Sequence, residues 1–214
     1  MKNIVILGAS GFAREVAWLI KEINRQTPEW NFLGYVDASA DRVGQPCGDA
    51  VILGDDSFLE SYPDELHAVI GIGRPPIIAR LRQKLERLPH LRFPNLVHPS
   101  VLWDRDRIRL GVGNIICAGN ILTTDIRLGS FNILNLASTY GHDAVIGDHC
   151  VINPGVNLSG GVRVGDACLL GTSCTILENL TLGEGVTVGA GALVHRDVAA
   201  GLTVVGIPAR PLQR

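Results

Sequence analysis

The chain lacks three features that mark large classes of protein: an excess of one charge, paired cysteines and long apolar runs. Its 214 residues carry a net charge of −2 with 19% charged residues, so no basic field indicates a nucleic-acid partner. Its five cysteines include no CxxC pair. The first segment, MKNIVILGAS, has an apolar run of only four residues, too short for a signal peptide or a membrane span. We therefore expect a reduced, cytoplasmic protein without a membrane span.

Composition changes along the chain, and the change predicts two domains. Residues 1–95 hold most of the aromatic residues and two helix-like segments. After about residue 108 the chain is rich in Gly, Val, Ile, Leu, Asn and Thr and has no helical period. We expect one domain over residues 1–95 and a second over residues 96–214, in a chain long enough to bury a substantial core.

The second half contains a repeat built from three units of six residues each. An aliphatic residue followed by glycine recurs once in every three units, at Leu110, Leu128, Ile146, Val164 and Leu182. Every sixth residue from Leu110 to Ala200 gives sixteen positions, of which fifteen are aliphatic and one is Tyr140. A period of six excludes an α-helix of period 3.6. It fits three short strands per coil, with the aliphatic side chain pointing into a prism and the coils stacked as a β-solenoid.

A second inward-facing row is predicted four residues after each aliphatic position. Its members are small or medium in size: Ala144, Cys150, Val156, Val162, Cys168, Cys174, Val186, Ala192 and Val198. Cys150 and Cys168 lie one coil apart and should stack, which favours a structural role for these cysteines over a reactive or metal-binding one.

The first half shows strands that lead through glycine-rich turns into helices. An apolar strand at residues 4–7 precedes the turn GASG and an amphipathic helix, and a second strand at residues 32–36 ends before Asp37. Residues 67–73 form a third strand and turn before a helix that opens with two prolines. These units predict a small Rossmann-like parallel sheet with its ligand crevice at the carboxyl ends of the strands.

The first turn can present backbone N–H groups to a phosphate. Asp37, at the end of the second strand, could accept a hydrogen bond from a ribose or sugar hydroxyl. However, GASGFA lacks the GxGxxG spacing, so an NAD site has little support and a purely structural turn stays open.

The repeat closely resembles that of the hexapeptide-repeat acyltransferases over roughly residues 96–210, including the segment VGIPAR at residues 205–210. The order of α/β domain and prism further resembles the sialic-acid O-acetyltransferase family, which includes the N-acetyltransferases of bacillosamine and perosamine type. The resemblance implies a left-handed parallel β-helix that binds acetyl-CoA as co-substrate, and a homotrimer with active sites between subunits. It also implies an N-terminal domain that holds the nucleotide-sugar acceptor.

The resemblance assigns acceptor contacts to the N-terminal turns. The family's first turn reads GASGHG or similar, so Phe12 stands where a histidine is usual and one polar contact to the acceptor is missing or supplied elsewhere. The residues expected to bind the acceptor are Gly8, Ser10, Gly11, Phe12, Asp37 and Gly73.

Acetyl transfer to an amine or hydroxyl needs a base for the nucleophile's proton and donors for the developing oxyanion. His142, in the segment YGHD, lies outside the aliphatic row and matches the family's catalytic histidine, with Asp143 as the acidic residue after it. A carboxylate bonded to one imidazole nitrogen would fix the tautomer and leave the other nitrogen as the base. Because neighbours in a strand point to opposite faces, this pairing requires a bent backbone. From the residues alone, a surface histidine stays equally open.

Further site residues follow from the spacing of the repeat and from the resemblance. Gly160 lies one full repeat beyond His142 and matches a family glycine, so we predict that its N–H donates to the oxyanion. Thr172 and Ala190 match family CoA contacts. The remaining cofactor-binding candidates are Gly171 and Gly189, which would allow close approach, and Arg210, which would meet a phosphate.

The predicted function is acetyl-CoA-dependent N-acetylation of a nucleotide-linked 4-amino sugar in bacterial surface polysaccharide or glycan biosynthesis, by direct transfer in a ternary complex. Sugar O-acetylation stays open because His142 serves either nucleophile. A non-catalytic nucleotide-sugar-binding scaffold stays open because of Phe12. A zinc hydratase on the same solenoid needs three converging histidines, and His142, His149 and His195 share neither a column nor a ligand spacing, so no metal is expected.

Overall fold

The N-terminal part of the chain is a six-stranded sheet with three α-helices, in a computed structural model that describes residues 1–212. The spatial strand order is β3-β4-β2-β1-β5-β6, and all neighbours are parallel except β3 and β4. The elements are β1 (Lys2–Leu7), α1 (Gly11–Gln26), β2 (Trp30–Val36), a 3₁₀ turn (Ala40–Arg42), β3 (Pro46–Cys47), β4 (Ala50–Gly54), α2 (Asp56–Ser61), β5 (Leu66–Ile70), α3 (Pro75–Leu85) and β6 (Leu91–Arg92).

Local sequence explains these elements. The apolar run of β1 is fully buried because a central parallel strand is covered on both faces. Helix α1 buries Val16, Leu19 and Ile20, which share one face at the helical period. Pro75 opens α3, where the first turn needs no donor from its N–H. The predicted Rossmann-like parallel sheet is therefore confirmed.

The rest of the chain forms a prism of short strands on three faces. The first face holds β7 (Leu96–Val97), β10 (Ile115–Ile116), β13 (Ile133–Leu134), β16 (Val151–Ile152), β19 (Leu169–Leu170), β22 (Thr187–Val188), β24 (Thr203–Val205) and β25 (Arg210–Pro211). The second face holds β8 (Leu102–Trp103), β11 (Ile121–Leu122), β14 (Thr139–Tyr140), β17 (Asn157–Leu158), β20 (Thr175–Ile176) and β23 (Leu193–Val194). The third face holds β9 (Arg109–Leu110), β12 (Arg127–Leu128), β15 (Val145–Ile146), β18 (Arg163–Val164) and β21 (Thr181–Leu182).

Between β9 and β23, strands on each face pair in parallel with partners one full repeat away, as in Leu122 with Tyr140 and Leu134 with Ile152, whereas β25 pairs antiparallel with β24. The second residue of each of these strands points inward, so Leu134, Tyr140 and Ile152 have no exposed surface. The predicted left-handed parallel β-helix is confirmed.

The last coil departs from the predicted register. Val198 pairs with Leu182, and Val204 pairs with Val188, so the partners are closer in sequence here than in the earlier coils. Val198 and Val204 are buried whereas Ala200 is exposed. The prediction that Ala200 continues the inward row was wrong because this coil is two residues shorter than the 18-residue repeat.

The second inward row is polar in the early coils and apolar in the later ones. Asn114 and Asn132 are fully buried and linked, because Asn114 Oδ1 accepts from the Asn132 N–H at 2.9 Å. In later coils the row contains thiols, and Cys150 and Cys168 lie one coil apart in the same buried cluster. Their Sγ atoms lie 3.1 and 3.2 Å from the carbonyl oxygens of Gly165 and Gly183. This row therefore fills the prism and carries no exposed chemistry.

The first face of the prism is covered by the N-terminal sheet domain. Its outward residues Ile115, Ile133 and Val151 are buried in that domain's core. Arg82 of α3 donates to Asp148 at 2.5 Å and lies 5.2 Å from the centre of the Phe131 ring. The strands of the sheet end with β6 and those of the prism begin with β7, while the division at residue 95 stays a prediction. None of the helices within residues 1–212 combines the length and apolarity needed to cross a membrane.

Candidate active site

His142 and Asp143 form a bonded pair at the corner between the second and third faces. The distance between His142 Nδ1 and Asp143 Oδ2 is 2.8 Å. Asp143 adopts the left-handed conformation, with φ of 60°, and this bend brings two consecutive side chains together. About two thirds of each side chain is exposed. We call residues 141–144 and the equivalent residues 159–162 the histidine corner.

Gly160 lies beside the His142 ring in the next coil. A Cβ atom on Gly160 would lie 2.5 Å from His142 Nε2, so only glycine leaves room for the ring in this position. The carbonyl of His142 accepts from the Gly161 N–H at 2.8 Å, which ties the two coils together. The Gly160 N–H has no acceptor within residues 1–212. The corner therefore combines an imidazole nitrogen and an unused backbone donor.

Thr172 and Ala190 lie at a different corner, between the first and second faces. We call residues 171–174 and the equivalent residues 189–192 the threonine corner. Both side chains are exposed. Within one chain, the second face separates them from His142, so the structure does not bring these predicted site residues together.

Gly171 and Gly189 face the neighbouring coil. A Cβ on Gly171 would lie 2.5 Å from the backbone nitrogen of Ala190, and one on Gly189 would lie 2.8 Å from a Val205 methyl. Stacking of the coils therefore requires glycine here, whether or not a ligand approaches.

Arg210 lies in the C-terminal hairpin, beside a cavity of about 390 Å³. The cavity is also lined by His195, Arg196 and Leu202. The Arg210 side chain is exposed, and its only hydrogen bond within residues 1–212 goes to the carbonyl of Ala209, at 3.2 Å. Its guanidinium remains accessible to an anion.

The N-terminal domain has a cavity of about 490 Å³ at the carboxyl ends of its strands. Gly8 and Asp37 line it, as predicted from the crevice rule. Asp37 accepts from Arg42 at 3.0 Å and from the Ser39 N–H at 3.1 Å, so part of its acceptor capacity is already used.

The other predicted acceptor residues lie outside that lining. Ser10, Gly11 and Gly73 are exposed at the turns, and Phe12 is half-buried against the domain core. Phe12 therefore packs as an apolar residue.

Sequence reasoning missed two basic residues of this cavity, Arg80 and Lys84. They lie one turn apart on α3, so a search for i, i+4 basic pairs after the third parallel strand could have found them. Lys84 forms an ion pair with Asp56, whereas Arg80 forms none within residues 1–212.

The remaining reactive side chains are engaged or buried. Burial raises the pKa of Cys117 and of Cys174 to about 12, so these thiols stay protonated at neutral pH. Burial and the Arg82 guanidinium lower the pKa of His149, whose Nε2 lies 3.2 Å from Arg82. The part of the chain that the structure describes contains no group of three His, Cys, Asp or Glu residues arranged to hold a metal ion.

Comparison with known proteins gives matches to both parts of the chain. Residues 3–85 match the family described as the PglD N-terminal domain. A comparison with curated proteins finds no match.

Several solved structures match the chain over nearly its whole length. A histidine-to-asparagine variant of perosamine N-acetyltransferase from Caulobacter crescentus, in complex with CoA and GDP-perosamine, is 27% identical with a TM-score of 0.87, covering 100% of this chain and 98% of that one. The acetyltransferase domain of PglB from Neisseria gonorrhoeae, in complex with acetyl coenzyme A, is 28% identical with a TM-score of 0.88, covering 99% of both chains. WeeI from Acinetobacter baumannii is 29% identical with a TM-score of 0.87, covering 99% of this chain and 100% of that one.

Proposed function

Because this chain is similar over its whole length to a perosamine N-acetyltransferase, we propose that it belongs to the nucleotide-amino-sugar N-acetyltransferase family and transfers the acetyl group of acetyl-CoA to the amine of a nucleotide-linked 4-amino sugar. The observation that carries the proposal is the bonded His142–Asp143 pair, with His142 Nε2 beside an unused backbone donor. The full-length similarity to a perosamine N-acetyltransferase that binds CoA and GDP-perosamine supports the substrate classes.

His142 is the general base of the proposed reaction. Its Nδ1 is bonded to Asp143, so Nε2 is the nitrogen left to accept a proton. The amine lone pair attacks the thioester carbonyl carbon, a C–N bond forms, and the amine proton moves to Nε2. The C–S bond then breaks and the proton passes to the leaving sulfur, which gives the amide and CoA thiol.

Gly160 is the proposed oxyanion donor. Its N–H lies in the coil next to His142 and is not committed to another acceptor within residues 1–212. A preorganised N–H stabilises the negative charge on the carbonyl oxygen without rearranging when the charge develops. Transfer is direct in a ternary complex, since the buried, protonated Cys117 and Cys174 thiols are unsuited to hold the acetyl group.

The active form is a homotrimer with sites between subunits. In a triangular prism, the corner between the second and third faces lies opposite the first face, which the N-terminal domain covers. An acceptor in that domain's cavity therefore reaches the histidine corner of a neighbouring copy more directly than its own. The threonine corner of one copy would likewise meet the histidine corner of the next.

The second face has the character expected of a covered surface. It lies between the two corners, and two paired residues at its start, Leu102 and Ile121, are 64% and 41% exposed in the single chain, while its next three strands present Thr139, Asn157 and Thr175 outward. Two neighbouring apolar side chains exposed on a rigid sheet favour association with a partner. Acetyl-CoA then lies in the groove between prisms, along Thr172 and Ala190, with Arg210 at a phosphate.

Activity with defined substrates tests the proposal. Purified protein is incubated with acetyl-CoA and a panel of UDP-, GDP- and dTDP-linked amino sugars, and CoA release is followed together with product mass. We expect N-acetylation of at least one 4-amino sugar. His142→Ala should lower kcat by about 10² to 10⁴-fold, the usual contribution of a general base. Its unfolding temperature should stay unchanged because the side chain is mostly exposed.

The outcomes separate the alternatives. Acetylation of hydroxyl acceptors alone would replace the N-acetyltransferase with an O-acetyltransferase. Tight binding of a nucleotide sugar without turnover would indicate a binding scaffold. Full activity of His142→Ala would remove His142 from the mechanism.

A further inference from the structure

Three arginines form a column on the outer side of the third face. Arg109 and Arg127 are direct partners in neighbouring strands. Val145 follows as the partner of Arg127, and Arg163 follows as the partner of Val145. All three arginine side chains are exposed. We call Arg109, Arg127 and Arg163 the arginine column.

The arginine column lines a groove of about 820 Å³ that reaches the histidine corner. The other residues lining the groove are Asp106, Arg107, Asp125, Asp143 and Val145. Asp143 is the partner of His142, so the groove and the proposed base share a wall.

The charges of this groove are not balanced. Arg107 donates to both carboxylate oxygens of Asp125, at 2.8 and 3.0 Å, and Asp143 is bonded to His142. No member of the arginine column forms an ion pair within residues 1–212, and Arg109 donates only to backbone carbonyls. Because a neutral His142 does not cancel the charge of Asp143, two carboxylates, Asp106 and Asp143, are left to face the three guanidinium groups of the column, which leaves one positive charge in excess among the described residues that line the groove.

The arginine column lowers the stability of the folded protein when no anion is bound. Like charges directly opposite each other on neighbouring strands repel. The guanidinium group presents a planar fork of donors that matches phosphate oxygens in pairs. The cost is offset when a doubly charged group lies across the column.

We propose that the arginine column of one copy binds the diphosphate of a nucleotide-sugar acceptor whose nucleotide lies in the N-terminal cavity of a neighbouring copy, an inference that rests on the proposed function. Arg127 and Arg163 each lie one coil from Val145, and Val145 follows Asp143 by two residues. With coils about 4.8 Å apart, both guanidinium groups are within reach of a group one sugar ring from the His142 Nε2.

Two substrates contain a diphosphate, and the distance from each diphosphate to the reacting atoms shows which one fits the column. In a nucleotide-linked 4-amino sugar, one pyranose ring separates the amine from the diphosphate. In acetyl-CoA, the whole pantetheine arm separates the thioester from its diphosphate. An anion site beside the base therefore fits the acceptor, and it makes the diphosphate a requirement for recognition, so that a free amino sugar is a poor substrate.

The inference is tested first by equilibrium binding, which needs no turnover. Calorimetry compares UDP with uridine and GDP with guanosine on the wild-type protein and on the double variant Arg127→Gln/Arg163→Gln. We expect the diphosphate of the recognised nucleotide to improve wild-type affinity at least tenfold, and this gain to disappear in the double variant. Arg87→Gln, an exposed arginine at the end of α3, is the matched control and should keep the gain.

Kinetics then identifies which substrate the column serves. Arg127→Gln and Arg163→Gln should each raise the KM for the nucleotide amino sugar about tenfold, the effect of losing one charge-assisted hydrogen bond. The KM for acetyl-CoA should stay unchanged, and turnover of a free amino sugar should be no worse than in the wild type.

Two results would overturn the inference. If the diphosphate still improves affinity in the double variant, it binds at another site, such as beside Arg80 in the N-terminal cavity. A rise in the KM for acetyl-CoA without a rise for the acceptor would assign the column to CoA. If no amino sugar is acetylated at all, the proposed function fails, while the calorimetry still decides whether the column binds a nucleoside diphosphate.

Discussion

The histidine corner and the threonine corner are built from the same repeat and share a glycine at their first position, because Gly141 and Gly171 both lie against the backbone of the next coil. They differ at the second position of the upper coil, where Gly160 stands at the histidine corner and Ala190 at the threonine corner. At the histidine corner, the missing Cβ of Gly160 leaves space for an imidazole ring. At the threonine corner, the missing Cβ of Gly171 leaves space for the backbone of the next coil. The role of a glycine in this repeat is therefore decided by what lies against its empty side.

Of the substitutions that compare the two corners, Gly160→Ala gives the largest expected effect. The new Cβ would collide with His142 Nε2 and push the exposed ring aside, so we expect kcat to fall about 100-fold, as for a catalytic group misplaced by about 1 Å. Stability should change little, because the ring can turn into solvent. Steady-state kinetics and thermal unfolding of the same preparation measure both effects. Wild-type kcat would show that the observed ring position is not the working one.

Gly171→Ala should lower stability and leave kcat nearly unchanged, the opposite of Gly160→Ala. Its Cβ meets backbone atoms of Gly189 and Ala190, which cannot turn aside, so we expect a loss of about 2 kcal/mol in the free energy of unfolding from overpacking. Urea unfolding measures the loss, and kcat of the folded enzyme should stay within about twofold of wild type. A raised KM for acetyl-CoA at unchanged stability would instead favour a direct role in cofactor binding.

Tyr140→Phe has the smallest expected effect. Tyr140 points into the prism just before the histidine corner, where every other member of the aliphatic row up to Val194 is aliphatic. Its hydroxyl is buried without a hydrogen-bond partner within residues 1–212, and burial raises its pKa well above the ordinary value. The neighbouring Ser138 hydroxyl is engaged with the Asn153 carbonyl and the Val156 N–H.

Removing that hydroxyl should therefore leave stability unchanged or raise it by about 1 kcal/mol. Urea unfolding measures the change, and activity should be retained. A large loss of kcat would show that the tyrosine acts through the corner on His142, which its inward position gives no reason to expect.

The prism was predictable because its period is a local property of the chain. Six-residue spacing sets the strands, the inward row and the placement of Cys150 and Cys168 one coil apart. The same spacing also separates His142 from Thr172, because the distance between them in sequence is not a whole number of three-unit repeats. The two residues therefore had to lie at different corners. The shortened last coil escaped prediction because Ala200 fits an aliphatic pattern as well as Val198 does.

The sequence predicted which residues form the site better than it predicted which side chains they contact. The bend required to pair His142 with Asp143 follows from the alternation of side chains in a strand, and the left-handed φ of Asp143 supplies it. The place of Phe12 against the core, and the ion pair that engages Asp37, depend on side chains distant in sequence.

Which residues stack in columns can be read from the amino-acid sequence, because stacking follows from counting at a fixed period. What fills the space beside each column depends on the folded chain, because it is set by side-chain direction and by distances of a few ångströms between coils. Counting by whole repeats aligns Arg109, Arg127 and Arg163. That their charge is left unpaired in a groove shared with Asp143 required every neighbouring carboxylate to be placed in three dimensions.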